Sequence, residues 1–250
     1  MLGRSEANSA FRKRLSQLLV SLALSERPRV IIFLAMKQSQ REREDQTTRQ
    51  RLLEVAGQVF AEKGFDRTTG KEICEKAGIN TAAVNYYYGG IDGLYAAVVQ
   101  EAHNRFVTFA ATKAAIADKP DARAKLEAIL ELIVRTIVGP TLSSWVLRVI
   151  GREVVAPSPV LEKLRDTEFL PKTRILKSIV SELMGLPEDH PAVARGCISV
   201  MAPCFMLLIF DRDTLMRAFP SLHLGSEDAG ALARHLVQFA LAGLKAVSRE

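Results

Sequence analysis

The sequence predicts an all-α fold, and three observations carry that prediction. Apolar residues recur at intervals of three and four through most of the chain. No stretch alternates apolar and polar residues for more than a few positions. Breakers such as Gly139-Pro140 and Pro157-Ser158-Pro159 punctuate the periodic segments. With 250 residues and 48% hydrophobic content, the chain can bury one sizeable core or two small ones. A mean hydropathy of +0.08 is mildly apolar, as expected of a protein that reserves surface for a partner subunit or a ligand.

Residues 1–44 are read as an N-terminal extension, expected to be disordered. Within it, Phe11 to Leu24 could form a short amphipathic basic helix that Pro28 breaks, and Gln38 to Gln46 reads as a flexible polar arm. The first strongly patterned helix runs from Arg49 to Gly64, with Leu52, Val55, Ala56, Val59 and Phe60 on one face. Thr68 and Thr69 can cap a second helix that carries Ile73 and Ala77 four residues apart. Gly78 can take the left-handed conformation that ends a helix, and Ile79 follows as a buried plug. Asn80 or Thr81 then caps a third, short helix whose Val84 faces the second.

Two short helices around a tight turn, backed by a third, describe a helix-turn-helix. The outward residues of the short helix are Thr81, Ala82, Ala83, Asn85 and Tyr86. They are small or hydrogen-bonding and include no carboxylate, which suits close approach to base edges in a DNA major groove. Arg51-Leu52-Leu53-Glu54-Val55-Ala56, Phe60-Ala61-Glu62-Lys63-Gly64-Phe65, Thr68-Thr69, Ile73-Cys74-Glu75-Lys76-Ala77-Gly78-Ile79 and Tyr86-Tyr87-Tyr88-Gly89 resemble the DNA-binding domain of the TetR family of bacterial repressors. The resemblance covers roughly residues 45 to 100 and implies a DNA-binding domain over 45–115, its linker helix included.

On this reading Asn85 is the residue best able to make a bidentate contact to adenine. Thr81, Ala82 and Ala83 face bases or the thymine methyl. Thr69 caps its helix and, by the resemblance, also reaches a phosphate, with Lys71 and Asn80 beside it. The resemblance implies phosphate contacts for Tyr86 and Tyr87 and places Tyr88 in the core. Thr48, Arg41 and Arg43 extend the DNA-contact set toward the N-terminal arm, although solvated charges explain the two arginines equally well. One departure stands out: where the family usually opens its fourth helix with Lys, this chain has Ile91 after Gly89-Gly90.

Net charge is +6, but residues 36–105 hold ten cations and ten anions, so bulk charge gives no argument for DNA. Residues 1–35 hold six of the cations and two glutamates and fall outside the resemblance. Three readings of that segment compete: an upstream start with Met36 as the working initiator, a basic arm adding phosphate contacts, or a membrane-surface or targeting segment.

The fourth helix is expected over Asp92 to Ala114, with Leu94, Val98 and Ala102 on one face, and Lys119-Pro120-Asp121 marks a domain break. Residues 116–250 are expected to form a ligand-binding and dimerisation domain. Its helices carry Leu126 to Ile137, Leu142 to Val155, a long segment to Met184 interrupted at Pro171, Ala192 to Phe210, and Glu227 to Val247. The segments Arg152-Glu153-Val154-Val155-Ala156-Pro157-Ser158-Pro159-Val160-Leu161 and Glu182-Leu183-Met184-Gly185-Leu186-Pro187-Glu188-Asp189-His190-Pro191 resemble the CecR-like (YbiH-like) subgroup. That implies a small-molecule effector, with Trp145, Arg148, Arg152 and Glu153 as candidates to line its cavity, although core packing or structural ion pairs explain each of them more readily. Met201 and Phe205 would supply adaptable apolar wall.

The last two helices are the expected homodimer interface, which pairs with a palindromic double-stranded operator. Cys74, Cys197 and Cys204 read as reduced thiols of a cytoplasmic protein, and the scattered histidines give no metal-ligand spacing. No catalytic constellation, cofactor fingerprint or metal site is expected. The longest unbroken apolar run, Val30 to Met36, is too short to span a bilayer, so no membrane partner is expected. The overall expectation is a sequence-specific, ligand-responsive repressor; the rivals are a non-specific architectural DNA binder and a helical enzyme.

Overall fold

The structure, a computed structural model, describes residues 28–139 and 144–248, which form helices joined by short turns, with no strand among them. The expectations for residues 1–27 lie outside the described residues. In order the helices are α1 (Pro28–Lys63), α2 (Gly70–Ala77), α3 (Ala83–Tyr88), α4 (Ile91–Arg105), α5 (Phe109–Ile116), α6 (Ala122–Val138), α7 (Ser144–Val155) and α8 (Pro159–Leu164). A π-helical turn (Arg165–Phe169) leads into α9 (Leu170–Met184), α10 (Pro191–Ile209), α11 (Arg212–Ala218) and α12 (Ala229–Val247). Residues 52–250 make one compact unit, and residues 28–51 belong to another.

Two elements differ from the sequence expectation. The arm expected to be flexible over Gln38–Gln46, and with it residues 28–44 of the extension, is helical, because α1 starts at Pro28 rather than Arg49. No Gly or Pro interrupts residues 29–56, and Gln38 reaches Glu42 at 3.4 Å while Gln40 reaches Glu44 at 3.2 Å, one turn apart. The lever expected over Asp92–Ala114 is two helices rather than one. It breaks at residues 106–108, where polar groups from elsewhere take over the backbone. Thr108 accepts from the Ala111 N–H at 3.1 Å, Glu168 accepts from the Phe109 N–H at 2.7 Å, and the Lys172 ammonium donates to the Val107 carbonyl at 2.7 Å.

Two apolar clusters organise residues 52–248. One joins α1, α2, α3 and α4 around Leu52, Phe60, Ile73, Val84 and Leu94. The other joins α6, α9, α10 and α12 around Leu126, Val134, Val180, Val193 and Val237. Helix α7 crosses between them: Trp145, Val146, Val149 and Ile150 bury into the first cluster. Pro171 explains the π turn, since a proline inside a helix removes a backbone donor and clashes one turn back. By length and composition alone α10 could cross a bilayer, but here it packs against α6, α7, α9 and α12, with Val193, Val200 and Cys204 buried. Cys74 and Cys204 are buried free thiols, and burial pushes the Cys204 thiol up to about 11.

Leu126 in α6 is fully buried in the larger cluster. Leu126→Ala is expected to cost about 2–5 kcal/mol through lost transfer energy plus a residual cavity. Urea unfolding should show a lower midpoint at unchanged slope.

Candidate nucleic-acid interface

Helix α2 begins where the sequence places it. Thr69 is extended, and its hydroxyl accepts from the Glu72 N–H at 3.2 Å. Gly78 ends the helix at φ 63°, a left-handed conformation costly for a residue with a Cβ. In the turn that follows, Asn80 does the capping: its Oδ1 accepts from the Ala82 N–H at 2.8 Å. Thr81 is left exposed. Helix α3 is six residues long and is closed by Gly89, whose N–H donates to the Asn85 carbonyl at 3.1 Å.

The exposed side of this helix-turn-helix carries Thr69, Lys71, Asn80, Thr81, Ala82, Asn85 and Tyr86, with Tyr86 70% exposed. Ala83, expected among the base-facing residues, is instead buried beside Val84 against α2, because both belong to the inward turn of α3. Tyr87 is half-buried and packs edge-on to Tyr86 with ring centroids 4.8 Å apart. Ile91 packs its apolar side chain against the first cluster, which accounts for an aliphatic residue at the head of α4. Glu72 is held below the usual carboxylate range, first by its hydrogen bond from Lys63 at 2.6 Å, with Lys76 at 3.5 Å adding to the effect. Two lysines beside the turn are thereby engaged. The Lys71 ammonium is exposed, 3.8 Å from Glu75. In the separate unit of residues 28–51, Arg41 and Arg43 are exposed on α1, and the Thr48 hydroxyl donates to the Glu44 carbonyl at 2.8 Å.

Two family models match the chain. Residues 52–98 match "Bacterial regulatory proteins, tetR family", and residues 122–244 match the C-terminal domain of the HTH-type transcriptional dual regulator CecR. The chain belongs to the TetR family. Both models describe DNA-binding transcriptional regulators, and the CecR match fits the subgroup read from the sequence.

A curated TetR-like relative is the probable HTH-type transcriptional regulator YttP of Bacillus subtilis, 25% identical over 136 residues. That match takes in 54% of this chain and 64% of YttP, so the chain spans less than two thirds of that relative's length. Among solved structures, a regulatory protein in the tetR family from Rhodococcus RHA1 superposes with a TM-score of 0.60 at 23% identity, covering 78% of this chain and 95% of that one. FadR from Bacillus subtilis, in complex with stearoyl-CoA, superposes with a TM-score of 0.57 at 16% identity, covering 78% and 98%. At these identities the two structures speak for the TetR-like fold alone.

Three of the α7 residues expected to line an effector cavity in this TetR-family chain are engaged by α1 and α4 instead. Trp145 is 2% exposed, and its indole N–H donates to Glu54 Oε2 at 3.0 Å. Arg152 donates to the Ala61 and Glu62 carbonyls at 3.3 and 3.4 Å, near the end of α1. Glu153, 1% exposed, accepts from the Tyr95 hydroxyl at 2.7 Å and from the Ser158 hydroxyl and N–H at 2.7 and 3.1 Å. A buried carboxylate demands donors, and those three groups supply them. Burial, followed by the bond to Glu153, pushes the Tyr95 phenol well above its ordinary range. Arg148 is exposed. On α10, Met201 packs partly buried on the larger cluster, whereas Phe205 points outward.

Sequence reasoning missed Glu54, Gly57, Tyr95 and Arg105, which complete this junction. One signal was legible: Gly57 in the middle of an apolar helix face marks a close approach. A Cβ there would lie 2.6–2.9 Å from three Trp145 ring atoms.

His103, on α4, lies with Nδ1 3.1 Å from the Val99 carbonyl. Burial holds its pKa below the ordinary 6.5, with Lys172 adding to the effect while the Val99 bond, Glu153 and Glu168 oppose it. The unfolded chain therefore takes up a proton near pH 6.5 that the native state refuses, so stability contributed here falls as pH drops through that window. Urea midpoints at pH 7.5 and 5.5 test this. His103→Gln should narrow the loss on acidification, and an unchanged pH dependence would contradict it.

Proposed function

We propose that this regulator is a homodimeric repressor that binds a palindromic operator and leaves it when a small molecule binds the C-terminal part. One observation carries the reading. The short helix α3 and the turn that leads into it present Thr81, Ala82, Asn85 and Tyr86 to solvent with no carboxylate among them, the surface a major groove accepts. Residues 45–115 serve as the DNA-binding part, and residues 116–250 as the part for effector and partner subunit. Base choice comes from Thr81, Ala82 and Asn85, and phosphate contacts from Thr69, Lys71, Asn80, Tyr86 and Tyr87, with further contacts from Arg41, Arg43 and Thr48.

Exposed apolar residues on α10 and α12 support the dimer, notably Ile198 at 70% and Phe239 at 69% exposure. Water-facing side chains of that size on two helices that pack together suit a self-complementary interface. The effector acts by binding better to the arrangement whose recognition helices do not match the operator, and its differential affinity sets the size of the response. Stearoyl-CoA in the FadR structure makes acyl-CoA thioesters the first class to screen. A cytoplasmic location goes with this function.

Mobility shift on the intergenic DNA upstream of the protein's own gene, at stated salt, tests the reading. Binding displaced by unlabelled specific DNA and not by scrambled DNA supports it, whereas equal displacement by both favours an architectural DNA binder. Asn85→Ala should relax preference at one operator position, at a cost of about 1–3 kcal/mol. An equal loss on specific and scrambled DNA would remove Asn85 from base reading. Phe239→Glu should yield a monomer in sedimentation and weaken operator binding; a dimer of unaltered affinity would move the interface elsewhere.

A further inference from the structure

The chain's single tryptophan joins three helices at one point. Its indole N–H is bonded to Glu54 of α1, and its ring lies against Gly57 on the same helix. The guanidinium of Arg105, the last residue of α4, sits 5.3 Å from the ring centroid. Arg105 also pairs with Glu54, and its Nε donates to Glu101 at 2.7 Å. Apolar burial is non-directional, whereas a directed N–H bond and a ring seated on bare backbone fix rotation as well as distance. The other side of α7 meets α10 closely: a Cβ on Gly151 would lie 3.2 Å from the Leu208 carbonyl oxygen. A short mechanical path therefore runs from α1 and α4, through Trp145 and α7, to the helix that carries Ile198.

We propose that the Glu54–Gly57–Arg105 socket around Trp145 sets the angle at which the helix-turn-helix is presented, and thereby the half-site spacing that the dimer accepts. The proposal rests on the dimeric DNA-binding reading above. Glu54, Gly57, Arg105 and Trp145 are positioning residues, acting through α1 and α4 on α3. Two half-sites lie about one helical turn apart or a multiple of it, so one base pair shifts their separation by roughly 3.4 Å. A rigid head discriminates against that shift, and a loosened one tolerates it.

The test uses the full chain and the operator found by mobility shift, with one base pair inserted or removed between half-sites, and an isolated half-site beside it. The variants are Gly57→Ala, Glu54→Gln and Trp145→Phe. Wild type should lose about tenfold or more in affinity on the altered spacings. The variants should lose less than about threefold there, while holding half-site affinity within about twofold of wild type. Acrylamide should quench Trp145 more strongly in Gly57→Ala than in wild type. A spacing penalty equal to wild type in the variants overturns the proposal. So does a parallel loss of half-site affinity, which would mark a merely structural role, and so does unchanged quenching in Gly57→Ala. Failure of wild type itself to prefer operator over scrambled DNA would instead sink the DNA-binding reading on which the proposal rests.

Discussion

A helix of six residues such as α3 cannot hold itself together in water, and that constraint governs the N-terminal half of this protein. Nucleating one turn fixes several backbone dihedrals for a single hydrogen bond, so α3 exists only because its surroundings supply the rest. Asn80 satisfies the entering backbone, and Gly89 closes the far end. Ala83 and Val84 anchor the inward face against α2. Behind these lie Ile73, Leu52, Phe60 and Leu94, and behind those the apolar face of α7. The exposed surface of the helix-turn-helix is thus the visible edge of a core to which the C-terminal half contributes.

That sharing explains what the sequence could and could not disclose. Period-3.6 patterning, the Thr69 cap and Gly78 are local signals, and they placed α2 and its turn correctly because local chemistry decides them. The burial of Ala83 was not legible, since the face that an alanine turns inward depends on a helix axis set by distant neighbours. Trp145, Arg152 and Glu153 were legible as an unusual polar group on an apolar helix. Their partners on α1 and α4, 58 to 91 residues earlier in the chain, could not be read from spacing. A buried glutamate beside arginine reads equally well as an effector site or as a junction, and only contacts tell the two apart.

The breaks in helical pattern followed the same logic. Pro171 announced an interruption, and the chain resolved it as a π turn that delivers Glu168 to the start of α5. The end of α4 carried no comparable mark, because its break depends on Glu168 and Lys172, about sixty residues later. Along α1 the opposite happened: a polar, mixed-charge stretch without breakers looked like an arm and is a helix, its side chains paired one turn apart.

Ile91 bears on how binding responds to the ionic medium. Residues 52–98 hold four cations against six anions, and Lys63 and Lys76 already answer to Glu72. An aliphatic side chain at the start of α4 adds no ammonium to this set. Each phosphate neutralised by a protein cation releases condensed counterions, and that release makes affinity steep in salt. If the DNA contacts proposed above hold, residues 52–98 would displace few condensed counterions of their own on docking. The steep part of the salt response would then fall to Arg41 and Arg43 of α1, while hydroxyl, amide and backbone N–H donors such as those at Thr69, Asn85 and Tyr86 would supply a share that ionic strength leaves alone.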